Sequence, residues 1–423
     1  MSFSSFLLNP KLIDALPASV ESATDVQARA IPAILSGKDV IALAQTGSGK
    51  TYAFGLPILH SISQNKLQKN LASSPESISG LIIVPTRELA KQVADDLARV
   101  SAGLNVRVDT LCGGEDLELQ VKRLTIPASL IVATPGRLLA LVKQASVSLN
   151  EVKYLVLDEA DRLLDMGFIA DINALIALMP ERQTMLFSAT MPEPLDKLTK
   201  QILSVDRLRI ETSAVNSAVE DIAQTIYHIN KGSKAKALIE LIKHNDWSQV
   251  VVFVNGKSDA DGLCKKLTKA KINAAALHGD KEQVMRAEIL QTFKTKQLNV
   301  LVATDVLARG IHIDALPVVI NFDLPDQAAV YVHRIGRTAR AGLSGVAISL
   351  ISHAEMQNLS AIRALTGLVL PLSELENFPV TDKPVDPNSK RPPKDKQANR
   401  RTAKKRSIRD FSKTRKTNSI NTK

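Results

Sequence analysis

Short apolar runs separated by segments of helical period recur along most of this chain, and that alternation narrows the possible folds more than any other feature of the sequence. Val40–Ala44, Leu81–Val84, Leu130–Ala133, Tyr154–Leu157 and Thr184–Phe187 are brief and rich in Val, Ile and Leu. Runs of that kind predict strands buried on both faces, which calls for a parallel sheet covered by helices on each side. Between them the apolar spacing changes. After Arg87, the residues Leu89, Val93, Leu97 and Val100 fall on one helical face. A second series, Val250–Val254, Ala274–Leu277, Val300–Ala303, Val318–Asn321 and Val346–Leu350, repeats the pattern around helical stretches such as Lys234–Lys243. The chain therefore reads as α/β, with tandem parallel-sheet domains at 1–206 and 222–380 joined by a polar linker over 207–221.

Charge is distributed unevenly along the chain. The formal net charge is +11, and the segment Thr381–Lys423 holds fifteen Lys/Arg against four Asp/Glu, so the rest of the chain is neutral overall. That tail, 381–423, is Pro-, Lys-, Arg-, Asn-, Ser- and Thr-rich with almost nothing to bury. It is expected to be disordered when free and to bind a polyanion. Only Cys112 and Cys264 are present, far apart, so neither a disulfide framework nor a zinc site is indicated and a reducing cytoplasm is expected. No apolar run is long enough to span a bilayer, and no membrane role is expected.

Two motifs carry chemistry on their own. Ala44-Gln45-Thr46-Gly47-Ser48-Gly49-Lys50-Thr51 follows an apolar strand and opens a helix, as a Walker A loop does, with Ala44 in place of the usual first glycine. Side chains at Gly47 or Gly49 would keep backbone N–H groups from closing around phosphates at the helix N-terminus. Lys50 then reaches the β- and γ-phosphates, and the Thr51 hydroxyl serves Mg²⁺. Downstream, Tyr154-Leu155-Val156-Leu157 runs into Asp158-Glu159-Ala160-Asp161, an apolar strand ending in acids. Asp158 is positioned for the Mg²⁺ shell and Glu159 for polarising the attacking water as general base. ATP or GTP binding follows from these motifs.

At Asp-Glu-Ala-Asp the chain resembles the DEAD-box RNA helicases, and further family motifs follow in order over most of its length. They are Pro85-Thr86-Arg87-Glu88-Leu89-Ala90, Gly113-Gly114, Thr134-Pro135-Gly136-Arg137, Ser188-Ala189-Thr190, Gln283 with Arg286, Thr304-Asp305 through Ala308-Arg309-Gly310, and His333-Arg334-Ile335-Gly336-Arg337-Thr338-Ala339-Arg340. The resemblance implies two RecA-like domains that close over ATP and RNA. It implies RNA contacts at Arg87, Gly113, Gly114, Thr134, Gly136, Arg137, Arg286 and Thr304, where close-approaching amides and charged or hydroxyl donors suit a sugar-phosphate backbone and carry no base sequence. Coupling of ATP state to RNA is implied at Asp161, Ser188, Thr190 and His333. Arg337 and Arg340 resemble arginine fingers reaching the γ-phosphate from the second domain, and they are expected to share one helical face.

For the nucleotide, Gln27 resembles the family's adenine-reading glutamine, whose amide can donate and accept at once, and Phe3 the aromatic that stacks on the base; ATP is then preferred to GTP. Gly310 and His312 are implied at the nucleotide, with His312 standing where the family usually has an aspartate that accepts from the ribose. Prolines usual in the glutamine motif are replaced by Ala23 and Asp25, and Ser19-Val20 replaces a glycine-aromatic pair. The short N-terminal lead and plain basic tail are most similar to the bacterial RhlE-like branch, associated with ribosome assembly and RNA turnover. A monomer is expected, and the sequence names no protein partner. Two other readings stay open on the residues alone: a DNA translocase, and a non-catalytic RNA-binding scaffold.

Overall fold

The structure, a computed structural model, describes residues 1–44, 47–68, 77–126, 128–212, 222–245, 247–305, 316–338 and 345–382. Its elements alternate as the apolar runs require. In the first lobe they are α1 (Pro10–Asp14), α2 (Asp25–Leu35), β1 (Val40–Leu43), α3 (Lys50–Gln68), β2 (Gly80–Ile83), α4 (Arg87–Ser101), β3 (Val108–Leu111), α5 (Leu117–Arg123), β4 (Leu130–Ala133), α6 (Pro135–Lys143), β5 (Tyr154–Asp158), α7 (Ala160–Asp165), α8 (Ile169–Ile176), β6 (Gln183–Ser188), α9 (Glu193–Ile202) and β7 (Leu208–Glu211). The second lobe holds β8 (Ile222–His228), α10 (Lys234–Asn245), β9 (Val250–Phe253), α11 (Lys257–Lys269), β10 (Ala274–Leu277), α12 (Gln283–Lys294), β11 (Val300–Ala303), β12 (Val318–Asn321), α13 (Ala328–Ile335), β13 (Gly345–Ile351), α14 (Met356–Thr366) and β14 (Leu372–Glu374).

Each lobe is a seven-stranded sheet, ordered β3-β4-β2-β5-β6-β1-β7 and β10-β11-β9-β12-β13-β8-β14. All pairings are parallel, for example Val40↔Met185 between β1 and β6 and Val318↔Val250 between β12 and β9. Strands β2, β4, β9, β11 and β12 are buried along their whole length, as two-faced helix cover demands. Helix α4 shows the local logic. The Thr86 hydroxyl accepts from the Leu89 N–H at 3.3 Å, and Leu89, Val93, Leu97 and Val100 are all buried.

Two expectations are corrected. The linker does not begin at Arg207: Leu208–Glu211 pairs with β1 (Val40↔Leu208) as the edge strand of the first sheet. The run is mostly exposed, with only Ile210 buried, so it carries little of the apolar signal that marks the inner strands. The second concerns the arginines placed on one helical face. Helix α13 ends at Ile335 with Gly336 as its cap, because the chain turns there into a parallel bridge between Leu316 and Thr338. Arg337 therefore lies beyond the helix, and Arg340 lies outside the described residues. Gln45, Thr46, Gly310, His312, most of the expected linker (213–221) and the basic tail from Lys383 onward lie outside them too. Among the described residues no helix is long and apolar enough to cross a membrane.

Candidate functional site

Strand β1 delivers the chain to the glycine loop at the C-terminal edge of the first sheet, where ligands of open parallel sheets bind. The Ala44 N–H donates to the Ser188 carbonyl at 2.9 Å, which extends the β1–β6 pairing into the loop. Gly47 and Gly49 adopt φ of 85° and 87°, the left-handed region in which a glycine has no steric penalty. A Cβ on Gly49 would also collide with the Gln27 amide. Lys50 begins α3, is buried, and donates back across the loop to the Ala44 carbonyl at 3.0 Å. Thr51 follows it on the same first turn.

Gln27 is 2% exposed and stitched to this loop. Its oxygen accepts from the Thr24 N–H at 2.9 Å, its nitrogen donates to the Gly49 carbonyl at 2.9 Å, and the Thr24 hydroxyl donates to the Ser48 carbonyl at 2.7 Å. One hydrogen and one lone pair of the amide remain for a ligand edge. Phe3 is buried in the core cluster of the first lobe, which also holds Val26 and Ala44, and stands edge-on to Phe6 with centroids 6.1 Å apart.

The acids sit where β5 meets α7. Asp158 is 3% exposed, and burial pushes its carboxyl up to about 6, a rise the nearby Lys50 charge offsets only in part. Glu159 is left-handed at φ 51°, an uncommon backbone for a residue with a Cβ, and its carboxylate pairs with the buried Arg162 guanidinium. Hard oxygen donors from Asp158 and Thr51 suit Mg²⁺, which keeps waters and phosphate oxygens in its shell. Among the described residues no group of three or more His, Cys, Asp or Glu could hold a metal ion by itself.

Asp161 connects this site to the rest of the molecule. Its carboxylate accepts from the Thr190 N–H at 3.0 Å and the Thr190 hydroxyl at 2.8 Å, while its own N–H donates to the Ser188 hydroxyl at 3.1 Å. From the second lobe, His333 Nε2 stands 3.6 Å from the same carboxylate. Burial works to raise the Asp161 carboxyl, but His333, Arg162 and the Thr190 bond together hold it below the usual carboxylate range. The four residues expected to couple the two ends of the reaction are thus brought together at Asp161, with Thr190 and His333 at its carboxylate and Ser188 at its backbone N–H.

The expected first-lobe RNA residues also converge. The Gly113 N–H donates to the Thr134 hydroxyl at 3.3 Å, Arg137 Nη2 donates to the Glu115 carbonyl at 2.9 Å, and the Arg87 guanidinium lies where a Cβ on Gly114 (φ 80°) would fall. Gly136 is exposed beside them. In the second lobe Arg286 is engaged across the lobe boundary, its guanidinium bonded to Glu88, next to Arg87. The buried Thr304 hydroxyl, at the end of β11, meets no hydrogen-bond partner among the described residues. Arg337 is 4% exposed, and its carbonyl accepts from the Leu316 N–H at 3.1 Å. Its neighbour Arg334 is gripped by both Asp305 oxygens at 2.6 and 2.7 Å, so this stretch is a buried frame rather than a solvated basic helix. Glu88 was not singled out by sequence reasoning, although it stands inside a motif; a carboxylate beside a phosphate-binding arginine gives no sign of its partner.

A glycine loop, a lysine, strand-end acids and buried second-lobe arginines on paired parallel sheets define a two-lobed nucleoside triphosphatase. Residues 24–198 match the DEAD/DEAH box helicase family model, and residues 233–342 match the helicase conserved C-terminal domain. The chain is 41% identical over 376 residues to the ATP-dependent RNA helicase CshA of Limosilactobacillus reuteri, covering 88% of this chain and 73% of that one. It is 41% identical over 371 residues to the ATP-dependent RNA helicase RhlB of Pseudomonas syringae pv. tomato, covering 86% and 92%. Among solved structures it superposes on S. cerevisiae Dbp5 bound to RNA and ADP BeF3 with a TM-score of 0.77 at 30% identity, covering 88% of this chain and 95% of that one. The chain belongs to the DEAD-box family of ATP-dependent RNA helicases.

Proposed function

We propose that this helicase hydrolyses ATP only when its lobes close on RNA, and that the Asp161 carboxylate, gripped by Thr190 from one lobe and faced by His333 from the other, carries the coupling. Lys50 binds the β- and γ-phosphates, Gln27 reads the adenine edge, and Glu159 orients and deprotonates the attacking water. Arg337 and Arg340 stabilise the charge that develops on the γ-phosphate. A Mg²⁺ ion held by Thr51, Asp158 and phosphate oxygens would neutralise charge on the leaving group. Arg87, Gly113, Gly114, Thr134, Gly136 and Arg137 follow the RNA backbone in the first lobe, and Arg286 and Thr304 in the second.

In this proposal the Glu88–Arg286 bond closes the lobes locally, and RNA competes for Arg286. The tail 381–423 adds sequence-independent RNA affinity through its charge. The RNAs concerned belong to ribosome assembly or RNA turnover, a reading that rests on the resemblance of the plain basic tail to the bacterial RhlE-like branch. ATPase rates with no nucleic acid, with RNA and with DNA of the same sequence provide the test. Stimulation by RNA alone is expected. Equal stimulation by DNA would make the protein a DNA translocase, and absence of turnover would make it a scaffold.

A further inference from the structure

The loop Cys112–Asp116 between β3 and α5 bears the two glycines assigned to RNA, and glycine leaves a loop free to wander unless something else fixes it. Neighbouring side chains supply the fixing groups. Gln120 of α5 is 1% exposed, and its amide nitrogen donates to the Cys112 carbonyl at 2.7 Å and to Glu115 Oε2 at 3.0 Å. One side chain thus holds the loop immediately before and immediately after Gly113-Gly114. Glu115 Oε2 also accepts from Arg123 Nη2 at 3.1 Å, and the same nitrogen donates to the Thr110 carbonyl at 3.1 Å, so the brace reaches back into β3.

The second phosphate loop is tied to the same frame, because Arg137 donates to the Glu115 carbonyl at 2.9 Å and Thr134 accepts from Gly113 at 3.3 Å. The amide of Gln120 cannot be reversed: its oxygen would then face the Cys112 carbonyl and the Glu115 carboxylate. As placed, Gln120 Oε1 is buried without a hydrogen-bond partner among the described residues. An orphaned buried acceptor is destabilising, and an apolar side chain of similar size would avoid it. The amide is therefore kept for what its nitrogen holds.

We propose that Gln120 and Glu115 are positioning residues that set the spacing of the two glycine loops to the RNA backbone, a proposal that rests on the RNA reading of those loops. Neither touches RNA itself. Glu115 is 41% exposed on its side chain, so its replacement spares the core. The test uses the full chain, a fluorescent single-stranded RNA with a non-hydrolysable ATP analogue, and RNA-stimulated ATPase kinetics. Glu115→Ala should raise both the RNA Kd and the KM for RNA by roughly tenfold, the scale of one lost charge-assisted bond. ATP affinity and kcat at saturating RNA should not change. Glu115→Gln keeps an acceptor for the Gln120 amide and should recover most of the loss. Gln120→Met should reproduce the RNA defect without lowering the thermal midpoint to match.

Wild-type RNA binding by Glu115→Ala, or a defect that Glu115→Gln fails to recover, overturns the proposal. Arg87→Ala and Thr134→Val, which alter the track directly, distinguish the two levels. If these weaken RNA and Glu115→Ala does not, the positioning role alone falls. If they too bind RNA normally, the RNA reading of the loops falls and the positioning role with it.

Discussion

The two lobes share one topology and make opposite use of the same place in it. Strands β1 and β8 each lie second from the end of their sheet, and each leads to a helix headed by a buried lysine, Lys50 in α3 and Lys234 in α10. Between β1 and Lys50 stand Gly47 and Gly49 in left-handed conformation, which turn the backbone into an anion cradle. Between β8 and Lys234 the chain makes a short 3₁₀ turn, Lys231–Ser233. Lys50 donates to a neutral carbonyl, whereas Lys234 donates to Glu355 Oε2 at 2.6 Å and to the Phe322 carbonyl at 2.8 Å, with Asp323 at 3.8 Å.

The acids divide in the same way. Burial drives Asp158 up to about 6. Burial also works on Glu355, but Lys234 and the Ser352 bonds hold it below the usual carboxylate range. The first lobe leaves Lys50 and Asp158 for a ligand to satisfy, although Glu159 and Asp161 beside them are paired within the protein, whereas in the second Lys234 and Glu355 satisfy each other. A lysine at the head of this helix is therefore not in itself a phosphate site; what matters is whether the protein supplies the anion.

The strongest way to break this comparison is at the acids and lysine of the first lobe. Glu159→Gln should keep ATP and RNA binding while turnover falls by about 10²–10⁴-fold, the usual contribution of a general base. Lys50→Ala should instead weaken ATP binding itself. Near-normal hydrolysis by Glu159→Gln, with ATP binding measured alongside, would remove the role assigned to it.

The second lobe should respond in stability rather than in nucleotide binding. Lys234→Met strands the half-buried Glu355 carboxylate, and the roughly 3–5 kcal/mol lost when a fully buried pair is broken on one side is the upper bound of the cost. ATP affinity should be unchanged at a temperature where the variant is folded. Chemical denaturation checks the first statement and nucleotide titration the second. A variant of normal stability with impaired ATP binding would mean that Lys234 serves a ligand, and the contrast between the lobes would fail.

How far the molecule was legible in its sequence follows the range of the interactions. The nucleotide cradle could be read because its geometry is local: glycines at fixed offsets, a lysine, and acids at a strand end. The inner strands could be read because burial on both faces leaves an unbroken apolar run. Strands β3, β7, β8 and β14 were not singled out, being edge strands or strands interrupted by polar residues, such as Gln224 and Thr225 in β8. The Glu88–Arg286 and Lys234–Glu355 pairs join residues 198 and 121 positions apart, and no spacing rule connects such partners. Gln120 escaped notice because a glutamine on a helix is ordinarily solvated, and only the fold turns it under the glycine loop.

The smallest effect expected is also the one that tests the idea of a charge left for a ligand. In the folded protein without nucleotide or metal, the Asp158 carboxyl sits at about 6, against an ordinary value of 3.8. Between those values the native state holds a proton that the unfolded chain has released, so stability falls as pH rises through this window, and the full cost is present above it. An asparagine in its place would keep the shape and remove the charge. Asp158→Asn should therefore gain on wild type from about pH 4 to pH 6 and hold a constant advantage above. A shift of that size sets a ceiling of about 3 kcal/mol on the gain, the attraction to Lys50 being already contained in it. Thermal midpoints from about pH 4 to pH 8 in a chelating buffer would show it. Adding ATP and Mg²⁺ should then reverse the order of the two proteins, because only wild type gains the full stabilisation of a bound ligand. A variant no more stable than wild type at about pH 8, above the whole window, would mean that Asp158 is satisfied from within, as Glu355 is, and the two lobes would differ in their glycines alone.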